Sequence, residues 1–176
     1  MKWGISLGLA GALIAAAGGN TVIASESHEG LAGAWAVQVT LRDCATNAPL
    51  GPPFNSLVTF QRGGTISESA GSLAFAPGQR SPGHGTWARQ GRRTFDQHLI
   101  ALILFDTPAN LPGTPGFNPS LPVSPGFFAG WGIISHTVKL SADGDHYTSA
   151  GTNEFHKSDD TLYRTGCSTA TGQRFE

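Results

Sequence analysis

Beyond its first two dozen residues this chain alternates apolar and polar positions. Trp35, Val37, Val39 and Leu41 are interleaved with Ala36, Gln38, Thr40 and Arg42, the period-2 pattern of a strand with one apolar face. The spacing predicts a first strand over about 34–43. Seven more are predicted over 54–60, 65–69, 85–90, 94–105, 127–140, 145–156 and 161–171. Turn residues separate them. Asp143-Gly144 stands between the sixth and seventh strands and is a strong hairpin signal, because both central positions of the turn tolerate φ > 0. Gln61-Arg62-Gly63-Gly64, Pro77-Gly78, Pro82-Gly83 and Ser158-Asp159-Asp160 punctuate the rest. The run 94–105 has the length of a helix. Its β-branched and aromatic residues, and the glycine and proline around it, favour a strand. It is apolar on both faces, with Phe95, Leu99, Ala101, Ile103 and Phe105 on one and Ile100, Leu102 and Leu104 on the other. Which face is interior stays open.

The expected fold is all-β: a single eight-stranded antiparallel up-and-down barrel, since closure leaves no exposed edge. A two-sheet β-sandwich is the alternative. An eight-stranded barrel is either filled by side chains or holds one small ligand.

Residues 1–24 have the form of a signal peptide: Lys2 as the early charge, an apolar and small-residue run from Trp3 to Ala17, and Val22-Ile23-Ala24 for cleavage. The run is too short and too rich in Gly and Ala for a permanent anchor, so no membrane anchor is expected after cleavage. Residues 25–32 are expected to be a leader and 33–176 the barrel domain. Residues 106–126 hold six prolines and three glycines. Such a segment is neither helix nor central strand, and it predicts a flap loop over one end of the core. The expected location is secreted or periplasmic. There Cys44 and Cys167 are expected to form a disulfide, which suits a closed barrel whose first and last strands are neighbours. Charged residues are 13% of the chain and the formal net charge is −1. That balance offers no footprint for nucleic acid and no polybasic patch for lipid.

Gly33-Ala34-Trp35 opens the first strand, and Gly85-Thr86-Trp87 opens the fourth. Each resembles the Gly-x-Trp opening of lipocalins and their calycin relatives. The resemblance implies a lipocalin-like barrel, with Arg174 packed over the first tryptophan. The chain departs from that pattern in two ways. No helix follows the last strand, and the long proline-rich loop lies between strands five and six. Some relatives in the wider small-barrel group are isomerases or cyclases, so the resemblance leaves binder and enzyme both open.

Strand parity nominates the lining residues. His136 shares a face with Phe128, Ile134, Val138 and Leu140, and Glu68 shares one with Ile66. Tyr147, Ser149, Asn153 and Phe155 form the more apolar face of strand seven, which would leave Glu154 and His156 outside. His98 lies among Ile100, Leu102 and Leu104. The expected ligand-lining residues are Trp131, Phe128, Ile134, His136, Tyr147 and His98. His136, Glu68 and Tyr147 are the candidates for acid–base chemistry. The six histidines show no metal-binding repeat. There is no Gly-x-Ser-x-Gly, phosphate loop or dinucleotide fingerprint, so neither metal nor cofactor is expected. The first functional reading is an exported barrel that binds a small, mostly apolar molecule. The second is a small-barrel enzyme of isomerase or cyclase type that uses His136 with Glu68 or Tyr147. The third is a filled-core structural or interaction module. The apolar strand 94–105 is a possible contact for a homo-oligomer.

Overall fold

A computed structural model describes residues 30–72, 74–107, 113, 118–120 and 126–175. The expected signal peptide and most of the expected leader and flap lie outside these residues. Eight strands follow one another: β1 (Gly33–Arg42), β2 (Phe54–Phe60), β3 (Thr65–Ala70), β4 (Gly83–Arg89), β5 (Thr94–Ile103), β6 (Gly130–Leu140), β7 (His146–Lys157) and β8 (Leu162–Arg174). Each pairs antiparallel with the next, and β8 pairs back onto β1, closing an up-and-down barrel. Alternation explains this outcome. Each strand turns one face inward, and closure is the arrangement in which no strand is left with an unpaired edge. The sandwich alternative is thereby excluded.

The base of the barrel is packed with aromatic rings. Trp35 meets Tyr147 edge-on with ring centroids 4.9 Å apart, Phe60 meets Tyr147 and Trp87, and Trp87 meets Phe95. Phe60 and Phe95 are almost wholly buried, each contributing roughly 3 kcal/mol of hydrophobic stabilisation. The Arg174 guanidinium lies 4.4 Å over the Trp35 ring. Arg174 also donates to the Gly30, Ala32 and Gly144 carbonyls. The end of the expected leader is therefore part of the fold. Leu31 is fully buried, and its carbonyl accepts the Trp35 indole N–H at 3.0 Å.

Cys44, just past β1, is bonded to Cys167 on β8. The bridge joins the two strands that close the barrel.

The opposite end is covered by the connection between β3 and β4. Phe75 packs on Phe127 at 4.5 Å, and Phe127 packs on Phe155 at 5.2 Å. Gln79, fully buried, donates to the Phe105 carbonyl. Thr107 and Phe127 exchange backbone hydrogen bonds of 2.7 and 3.1 Å, which pin together the two roots of the proline-rich segment.

Parity is settled on every strand. On β5 the inner set is Phe95, Gln97, Leu99, Ala101 and Ile103, so Ile100 and Leu102 point outward. On β7 the inner set is Tyr147, Ser149, Asn153 and the partly buried Phe155.

Candidate functional site

Between the two aromatic layers the interior is polar. Ser56, Glu68, Gln97, His136, Ser149, Asn153 and Ser168 are all buried. His136 stands on β6 directly opposite Gly151 on β7. A Cβ at Gly151 would lie 1.9 Å from the Ser135 carbonyl oxygen and 2.6 Å from His136 Cδ2, so the glycine lets both the β6 backbone and the ring come close. From there the imidazole reaches a serine on each side. Nδ1 is 3.0 Å from Ser149 Oγ, and Nε2 is 2.9 Å from Ser168 Oγ. Asn153 Nδ2 donates to Ser168 Oγ at 3.0 Å. Burial pushes the His136 pKa down to about 4, so the ring is neutral at physiological pH. A neutral ring has one N–H, so it donates to one serine and accepts from the other.

Glu68 and Tyr147 use the same device. Glu68 faces Gly83 across the β3–β4 register, and Tyr147 faces Gly172 across β7–β8. A Cβ on either glycine would run into the side chain opposite: Glu68 Oε2 at 2.7 Å and Tyr147 Cζ at 2.5 Å. Glu68 pairs with Arg80 Nη2 at 2.8 Å and accepts from Ser56 Oγ at 3.2 Å. Glu68 is buried, and Arg80 is partly buried beside it. The Tyr147 phenol is pushed well above its ordinary range, first by burial and then by the Glu68 charge.

The expected site residues thus separate into two groups. His136, Tyr147 and Glu68 are buried in the interior, and Ile134 packs against its core. The structure does not join the three acid–base candidates by hydrogen bonds: His136 is held by serines, while Glu68 is held by Arg80 and Ser56. The other three expected lining residues are placed outside. His98 is exposed and bonds Ser135 Oγ at 3.1 Å, because the opposite face of β5 is the inner one. Trp131 lies on the outer parity of β6 and stacks on His156, with centroids 6.4 Å apart. Phe128 is 46% exposed, meets Tyr163 edge-on at 5.0 Å and lies under the Lys157 ammonium. Alternation breaks at Ala129-Gly130, where Gly130 has φ of 150°. Phe127 is therefore the inward ring, and Phe128 is turned out.

Four interior residues were missed by the sequence reading. Ser168 sits at an inward position of β8, where parity was the available signal, whereas Gln97 lies on β5, whose two apolar faces leave parity unreadable from the sequence. Ser56 shares its face with Val58 and Phe60. Arg80 lies in an irregular connection, where no periodicity announces it.

Among the described residues no three His, Cys, Asp or Glu side chains stand close enough to hold a metal ion. An open recess of about 650 Å³ lies under the base, between Ala32, Phe60, Arg62 and Arg174; it is outside the barrel. No protein-family profile matches the chain, and no curated protein matches it.

Proposed function

We propose that this is an exported carrier that holds one small, mostly apolar molecule inside a lipocalin-like barrel. The observation that carries the reading is the band of buried polar side chains between two aromatic layers. Apolar walls with a few convergent polar groups are the chemistry of a small-molecule site. Export is supported by the amino-terminal pattern and by the Cys44–Cys167 bridge. The rival enzyme reading needs His136 beside a second titratable group. The geometry favours the carrier, because both ring nitrogens of His136 face serine hydroxyls.

The test is native mass spectrometry of the disulfide-bonded protein purified from a secreting host. A stoichiometric adduct of a few hundred daltons that leaves on unfolding is the expected result. An adduct-free protein that takes up no molecule from a diverse library of apolar compounds would overturn the reading.

A further inference from the structure

We propose that the outer face of β5 and β6 is an interface between two copies of this chain, related by a two-fold axis that runs along the strands. Ile100, Leu102 and Leu104 point outward from β5 and its continuation and are 46%, 51% and 56% exposed. The register sets Ile133 beside Ile100 and Trp131 beside Leu102, and both are partly exposed on the outer face of β6. These five side chains form one patch with no charge in it. The three on β5 alone expose roughly 300 Å² of apolar surface, and with their β6 neighbours the patch is as large as a monomer ordinarily leaves uncovered. An apolar exterior is not a requirement of the barrel, since the outward residues of β3 are Thr65, Ser67 and Ser69. Two such faces with their polar margins bury about 1,000 Å², the threshold of a specific interface.

The pattern on this face fits a second copy of itself. A closed barrel has no free strand edge, so association uses a face. Each row across the two strands is of one kind. Leu102 lies beside Trp131 and Ile100 beside Ile133, whereas His98 lies beside Ser135 and Asp96 beside Thr137. A two-fold axis along the strands sets every row against itself, as an isologous contact requires. It lays Ile100 of one copy on Ile133 of the other, and Leu102 on Trp131. An axis across the strands would instead bring Leu104 against His98, apolar against polar. An apolar centre holding a tryptophan, with charge kept to the margin, is the anatomy of a homodimer interface. The formal net charge of −1 leaves little repulsion between copies, and it gives an anionic lipid surface nothing to attract.

The test is sedimentation equilibrium of the full chain, secreted and oxidised. A monomer–dimer equilibrium in the micromolar range is the expected result, and a protein still monomeric at about 1 mM overturns the inference. The pairing is tested by complementary charges. Ile100→Lys and Ile133→Glu are each expected to weaken self-association by about 100-fold, because each buries a charge against isoleucine. Mixed in equal amounts they are expected to form a dimer again, since lysine then meets glutamate and the other two isoleucines still meet. Single variants that dimerise as the wild type does, or a mixture that stays monomeric, overturn it. Leu102→Lys with Trp131→Glu repeats the test one row along, should either first variant fail to fold. Leu57, 65% exposed on β2, is the control. Leu57→Lys should leave the equilibrium unchanged, and an equal loss there would show unspecific adhesion and overturn the inference. A monomer that dimerises only after residues 108–125 are replaced by a short glycine–serine linker, or that floats with phosphatidylcholine vesicles, would give the face to that segment or to lipid and overturn it too.

Discussion

His136 makes stability depend on pH in a direction that can be worked out. Its folded pKa, about 4, lies below the ordinary value of 6.5. The unfolded chain therefore binds a proton at pH values where the folded one does not. The contribution is complete above about pH 6.5 and declines as pH falls to about 4, by roughly 3 kcal/mol in all. Urea unfolding at stepped pH should show this decline, and His136→Asn should flatten it relative to the wild type. His156 acts with the opposite sign, because the Asp160 carbonyl and the Glu154 side chain raise its pKa. Its contribution is full below about 6.5 and is lost as pH rises through the raised value. Glu68 and Arg80 form a second residue-scale unit. Removing one partner strands a buried charge, so Arg80→Ala should cost about 3–5 kcal/mol. Replacing both together by leucine and methionine should cost much less. A double variant as damaged as the single one, measured by denaturant midpoint, would show that the pair's value lies in more than mutual neutralisation.

At the scale of the strand, a recurrent pairing sets large inward side chains opposite glycine: Glu68 with Gly83, His136 with Gly151, Tyr147 with Gly172 and Phe155 with Gly132. The glycine leaves room for a bulky group to lie across the inner face of the neighbouring strand. Gly151→Ala should therefore destabilise by several kcal/mol, at the upper end of overpacking costs. It should also shift the His136 ring resonances in the NMR spectrum; a folded variant with unmoved resonances would contradict the space argument. These pairs also mark where sequence reading succeeds and where it stops. β2 is legible in its bounds, Phe54–Phe60, but not in its lining, because the inward Ser56 is polar and the outward Leu57 apolar. Strand parity brings His136 and Tyr147 inside. β5 is not legible in the same way, since both its faces are apolar and hydrophobicity alone cannot orient it. His98 fell on the wrong side for that reason. Phe128 misleads because alternation was carried through a glycine whose backbone breaks it. Arg80, the partner of Glu68, comes from an irregular connection and is visible only once the chain is folded.

For the molecule as a whole, the Cys44–Cys167 bridge closes a separation of 123 residues. In the chain-entropy account a loop of that length is worth roughly 5 kcal/mol. Reduction should lower the denaturant midpoint accordingly. A midpoint unchanged by reductant would show that β1 and β8 hold each other without it. The β1–β8 seam has a further consequence for how the protein is made. The first strand to be synthesised waits for the eighth before either edge is satisfied, and the Arg174 clamp that ties the ends together lies at the very close of β8. A nascent chain that ends before the middle of β8 lacks the strand that closes the barrel on β1. Such a polypeptide should become protease-resistant only when its last strand arrives. Stop codons placed successively through Cys167, Gly172 and Arg174 should convert that resistance from absent to complete within these few residues.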